Sequence, residues 1–135
     1  MLDLAWLAGI VDGEGCFCAK RQAKNAMHLR LRIEATSTAM IDRIAEILDA
    51  WNVGYRRQRP TMRGKSTRPA TRIEVDRKGE LLRLLELLEP MVVVKHPELA
   101  VAREYLRRAA AVSMYSCEPR DREIPERLSD LKRIA

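Results

Sequence analysis

Residues 28–35 read His-Leu-Arg-Leu-Arg-Ile-Glu-Ala, so Leu29, Leu31, Ile33 and Ala35 alternate with His28, Arg30, Arg32 and Glu34. A period of two belongs to a β-strand, whose successive side chains point to opposite faces. One face of this strand must pack on a core while the other looks outward. A strand of that kind needs partner strands and a covering layer on its apolar side. The outward side is basic at three successive positions, where a merely solvated face would mix its charges.

The rest of the chain supplies the partners and the cover. Residues 2–12 form a short, nearly all-apolar helix with stop signals at Gly13 and Gly15. A strand over 16–23 precedes the one at 27–36, across the polar link Lys24-Asn25. Thr36, Ser37 and Thr38 offer an N-cap for a helix over 39–51, which carries Ile41, Ile44, Ala45 and Leu48 on one face. Gly54 ends that turn, and a third strand runs from Tyr55 to Arg59. A basic loop from Pro60 to Ser66 leads to a fourth strand at 70–76, where Ile73 and Val75 alternate with Arg72, Glu74 and Asp76. A helix over 78–89 is closed by Pro90, and Pro97 opens a long helix to Ser113. After Pro119, Ile124, Leu128 and Leu131 outline a last amphipathic helix. The fold class is therefore α+β: αββαββα with one antiparallel four-stranded sheet, helices on one face and C-terminal helices beyond. The core domain is expected over 1–116 and a helical extension over 117–135.

With 135 residues and 47% hydrophobic content, the chain has enough apolar material for one domain. Lys and Arg number 25 against 19 Asp and Glu, a net charge of +6 that favours a polyanionic partner. Three cysteines and two histidines do not make the usual four-ligand zinc spacing, so Cys16, Cys18 and Cys117 read as free thiols of a reducing compartment. The N-terminal apolar stretch lacks a basic leader and is bracketed by Asp3 and Asp12, unlike a signal peptide or membrane span. These features lead to the expectation of an intracellular protein (cytoplasm, nucleoid or organelle matrix) with no membrane partner and no small-molecule substrate.

The segment Leu7-Ala8-Gly9-Ile10-Val11-Asp12-Gly13-Glu14-Gly15 is where chemistry is expected. Two carboxylates lie at the C-terminal end of a helix, where the backbone carbonyls already make the potential negative. A bound cation would resolve the conflict, and oxygen-only donors suit Mg²⁺. Alternatively, Asp12 and Glu14 simply end the helix in solvent, with Gly13 as its C-cap. The small residues Ala8 and Gly9 admit a closely packed helix, either from the same chain or from a second copy.

These nine residues, LAGIVDGEG, resemble the defining motif of the LAGLIDADG homing endonucleases. Five letters are identical, Ile10 and Val11 are apolar exchanges, Gly13 replaces Ala and Glu14 replaces Asp. The succeeding order of elements resembles the family core over residues 2–113. The resemblance implies a site-specific double-strand DNA endonuclease that cuts a long pseudo-palindromic target across the minor groove and leaves 3′ overhangs. Its saddle-shaped sheet would lie along the major groove, and its gene would belong to a mobile intron or intein. It implies Mg²⁺ held by Glu14 and Gly13, with Mn²⁺ or Ca²⁺ as substitutes for binding, and Lys95 beside the water or phosphate. Ser37 stands where relatives often carry a water-ordering glutamine. A single motif implies a homodimer, with Leu4, Leu7, Ala8, Gly9, Val11 and Asp12 at the interface. The resemblance also admits a non-cleaving DNA-binding regulator or an intron RNA maturase.

Strand parity nominates the DNA-facing side chains. These are Lys20 and Gln22 on strand one, His28, Arg30, Arg32 and Glu34 on strand two, Tyr55, Arg57 and Arg59 on strand three, and Arg72 and Glu74 on strand four. Arginine pairs with guanine, glutamine with adenine, and glutamate accepts from cytosine. Lys24, Arg63, Lys65 and Arg68, in or beside loops, suit phosphate contacts.

Overall fold

The computed structural model describes residues 2–22, 26–61, 69–112 and 123–134. Helix α1 (Leu2–Glu14) leads directly into strand β1 (Gly15–Gln22), followed by β2 (Ala26–Ala35), helix α2 (Thr38–Ala50), β3 (Arg56–Thr61) and β4 (Ala70–Val75). Helices α3 (Lys78–Leu88), α4 (His96–Val112) and α5 (Ile124–Ile134) complete the order. The four strands form one antiparallel sheet in the order β1-β2-β4-β3. The second and fourth strands are therefore central, and the first and third are edges.

The alternation in β2 sets the layers as expected. Met27, Leu29, Leu31 and Ile33 are buried, together with Phe17 of β1 and Ile73 and Val75 of β4. Against that face, α1 places Leu4, Leu7, Ala8 and Val11, and α2 places Ile41, Ile44, Ala45 and Leu48. Helix α3 adds Leu81, Leu84, Leu85 and Leu88. Spacings of three and four residues bring each set onto one helical face. Ile124 and Leu128 of α5 enter the same core beside Leu99, Tyr105 and Leu106 of α4. The expected domain boundary at 116/117 lies outside the described residues. The Lys132 ammonium donates to the Phe17 carbonyl at 2.8 Å, tying α5 to edge strand β1. Among the described residues, no helix is long and apolar enough to cross a membrane.

Two helix ends differ from expectation. Helix α1 continues through Gly13 to Glu14, so Gly13 is not its cap. The close approach falls instead at Gly15, where an added Cβ would lie 2.6 Å from the Val11 carbonyl oxygen. After α2, Asn52 takes the left-handed conformation (φ 57°) rather than Gly54, as its short polar side chain permits. The Val53 N–H then bonds the Leu48 carbonyl at 2.8 Å. Gly54 has its own constraint: its N–H bonds the Glu80 carboxylate, which a side chain at 54 would have to push aside.

Candidate metal centre and nucleic-acid interface

Helix α1 ends on Glu14, which is exposed, while Asp12 one half-turn earlier is partly buried. Their surroundings separate the two carboxylates. Asp12 Oδ1 accepts the Lys95 N–H at 2.9 Å, and both its oxygens accept the Val93 N–H, at 3.2 and 3.0 Å. These donors lie in the segment just before α4, whose N-terminal dipole favours an anion. The negative potential at the end of α1 is thereby offset for Asp12. Glu14 faces a cleft of about 420 Å³ that it shares with Glu34, Ala35, Thr36, Ser37, Met40 and Ala70.

The donors around that cleft are oxygens, the kind a hard divalent cation takes. Among the described residues, no group of three or more His, Cys, Asp and Glu side chains is placed to hold a metal. Glu14 thus brings a carboxylate to the cleft, and a cation there would need further ligands. Gly13 is exposed beside it in the same helical turn. Ser37 reaches the cleft and also works as the N-cap of α2, its hydroxyl accepting the Met40 N–H at 3.2 Å. Lys95 immediately precedes α4, with its backbone fixed to Asp12.

The sheet face opposite the core collects charge. In the β1–β2 register Cys16, Cys18 and Lys20 stand opposite Arg32, Arg30 and His28. In β2–β4, Arg32 and Glu34 stand opposite Glu74 and Arg72, so these strands keep their expected parity. Glu74 is only 1% exposed despite lying on this face. Arg72, Arg30 and Arg56 surround its carboxylate at 3.6, 3.7 and 3.9 Å. It therefore anchors arginines and is poorly placed to touch a base. Arg72 also binds Glu34 through Nε and Nη2 at 3.2 and 3.1 Å. His28 pairs with Asp76 at 3.3 Å, and Arg56 pairs with the same carboxylate.

The third strand departs from the expected parity. Arg56 and Gln58 stand opposite Glu74 and Arg72 on the charged face, whereas Arg57 stands opposite Ile73. Arg57 accordingly reaches Asp42 of α2 at 2.8 Å, and the Tyr55 hydroxyl donates to Asp49 at 3.2 Å. Tyr55 and Arg57 belong to the helix side, not to the proposed interface. The reason is that Arg-Arg-Gln-Arg carries no apolar residue to fix its register. The side chains of Gln22 and Arg59 lie outside the described residues, as do Lys24, Arg63, Lys65 and Arg68 altogether.

Cys16 and Cys18 belong to the same charged face, which the parity of β1 would have revealed beside Lys20. Their sulfurs lie 3.4 Å apart. The hydrogen bond from Cys18 holds the Cys16 thiol down at about 5, with Lys132 assisting and burial opposing. The same bond and burial push Cys18 up. Nearby Glu98 is 2% exposed, its Oε2 without a hydrogen-bond partner, and burial raises its pKa against the pull of Lys95 and Lys132.

The expected dimer face also needs correction. Leu4, Leu7, Ala8 and Val11 are spent on the chain's own core, and Asp12 on the segment before α4. Gly9 alone of the expected set is exposed. The free side of α1 carries Leu2 (87% exposed), Ala5, Trp6 (39%), Gly9 and Gly13. A Cβ added at Gly9 or Gly13 would meet nothing within 4 Å. Both stripes of α1 are apolar, so sequence pattern does not distinguish them.

No protein-family model and no curated protein matches the sequence. Solved structures do match: the chain has the fold of the LAGLIDADG homing endonucleases. The homing endonuclease I-CvuI, in complex with the I-CreI target, superposes with a TM-score of 0.69 at 20% identity, over 96% of this chain and 82% of that one. The archaeal intron-encoded I-Vdi141I, complexed with DNA, gives 0.70 at 14% identity, over 96% and 84%. The meganuclease I-AabMI, bound to uncleaved DNA, gives 0.62 at 20% identity, over 96% of this chain but 43% of its own.

Proposed function

We propose that this protein is a site-specific, metal-dependent double-strand DNA endonuclease that acts as a homodimer. The observation that carries the reading is Glu14, an exposed carboxylate at the helix end bordering an oxygen-lined cleft beside the arginine-bearing sheet face. The fold likeness supports it, because the neighbouring structures are homing endonucleases in complex with DNA.

Lys20, His28, Arg30, Arg32, Arg56, Gln58 and Arg72 present donors from all four strands on one face. Such a face reads base edges in a major groove, with loop cations on the phosphates. Glu14, with backbone oxygen at Gly13, would hold Mg²⁺. The bound ion supplies an activated water and offsets the charge that builds on the phosphate. Lys95, fixed at the start of α4, adds positive charge near the scissile phosphate. Ser37 combines capping with a hydroxyl that orders water in the cleft.

The free side of α1 supports the dimer reading. Glycine in an exposed helical position costs about 1 kcal/mol relative to alanine. Among the described residues, nothing lies within 4 Å of a Cβ built at Gly9 or Gly13 to account for that cost. A second α1 at backbone distance accounts for it, covers Trp6 and Leu2, and brings two Glu14 carboxylates to one centre. The target is accordingly near-palindromic, and the likeness to homing endonucleases supports cuts that leave 3′ overhangs.

The experiment is cleavage selection from a randomised, near-palindromic duplex library with Mg²⁺. The reading expects a single family of cut sequences with two-fold symmetry. Binding without any cut sequence would instead favour a non-cleaving DNA regulator.

A further inference from the structure

Asp12 spans two parts of the molecule that sequence keeps apart. It belongs to the last turns of α1, yet its carboxylate is occupied by backbone N–H groups of residues 93 and 95. The first bond of α4 runs from the Leu99 N–H to the Lys95 carbonyl at 2.8 Å, so Lys95 sits at the mouth of that helix. Its own N–H has no partner within the helix, and Asp12 supplies one. The preceding stretch has little else to fix it, since Val93 is 76% and Val94 55% exposed. Val92, 4% exposed, anchors its beginning. Its far end is held by Glu89, which meets His96 at 3.2 Å and Arg103 at 3.4 Å. The hydrogen bond from His96, and after it Arg103, holds the Glu89 carboxyl below its ordinary value, with burial opposing. Between these anchors, the Asp12 hydrogen bonds determine how the Lys95 backbone is turned.

We infer that Asp12 is a positioning residue for Lys95, holding it in a set relation to Glu14, two residues further along α1. Asp12 itself touches neither metal nor DNA. This inference rests on the endonuclease reading, in which Glu14 and Lys95 serve one phosphate. A misplacement of about 1 Å costs on the order of 10²-fold in rate in such a site. Asparagine keeps the size of the side chain but turns an N–H₂ group toward backbone donors, so it loses part of the clamp.

The test uses four full-length proteins: the parent, Asp12→Asn, Lys95→Met and the double variant. Single-turnover cleavage with Mg²⁺, DNA affinity with Ca²⁺, and amide exchange at Val93 and Lys95 are measured for each. Asp12→Asn is expected to slow cleavage about 10²-fold, with affinity and molecular mass unchanged and both amides exchanging faster. The double variant is expected to cut no more slowly than Lys95→Met alone. Additive losses would overturn the inference, since independent sites add. A loss of affinity or of dimer mass would overturn it too, by making Asp12 a binding or interface residue. If the parent cuts nothing, the endonuclease reading fails on its own. Amide exchange then decides: faster exchange in Asp12→Asn keeps the clamp, and unchanged exchange removes it.

Discussion

Arg56 and Arg57 are neighbours with opposite work. Arg56 stands on the charged sheet face between Glu74 and Asp76, and Arg57 binds Asp42 on the helix side. Arg56→Ala is predicted to weaken DNA binding and to reduce the slope of log affinity against log salt by roughly 1. Arg57→Ala removes an exposed ion pair and costs about 0–1 kcal/mol of stability, with DNA affinity and salt slope unchanged. Fluorescence anisotropy over a salt series distinguishes them, and equal losses would restore the parity first expected for β3. Sequence carries no sign of this difference, because nothing apolar in residues 56–59 marks the inner face. Glu14 was legible for the opposite reason. A carboxylate at a helix C-terminus contradicts local electrostatics, and such contradictions mark sites. Asp12 carried the same sign for a different reason, which only the return of the chain at Val93–Lys95 reveals.

Strands β2 and β4 were legible as elements, because Leu29, Leu31 and Ile33, and then Ile73 and Val75, mark the buried face at every second position. The burial of Glu74 was not. It arises from Arg30, Arg56 and Arg72, contributed by three strands whose pairing is set by tertiary structure. Glu74 is thus the central anion of a cationic face, keeping three guanidinium groups from repelling one another. Glu74→Ala removes the carboxylate the three share, leaving Arg72 to Glu34 and Arg56 to Asp76, and is predicted to destabilise the chain by about 1–3 kcal/mol, less than the full cost of breaking a buried ion pair. Added salt recovers part of the loss by screening the arginines. Thermal unfolding at two ionic strengths measures both effects. A salt-independent loss would mean that Glu74 matters through packing rather than charge.

At the scale of the molecule, α1 has one stripe committed to the core and another left over. Leu4, Leu7, Ala8 and Val11 form the first, while Leu2, Ala5, Trp6, Gly9 and Gly13 form the second. That α1 is apolar on both sides was legible from its composition; which stripe packs on the core was not, since either could serve. Gly9 separates fold from assembly, because a Cβ there meets nothing within 4 Å among the described residues. Gly9→Leu is predicted to keep the folded monomer, to shift the gel-filtration mass from two chains to one, and to abolish cleavage. A dimer that survives this substitution would put the interface elsewhere. Mg²⁺-dependent cleavage of the selected target by the parent and by Glu14→Gln, side by side, tests most directly whether Glu14 holds the ion on which DNA cutting depends. Double-strand cuts are expected from the parent, none from Glu14→Gln, and undiminished DNA binding from the variant in Ca²⁺. Cutting by Glu14→Gln at the parent rate would contradict that role for Glu14.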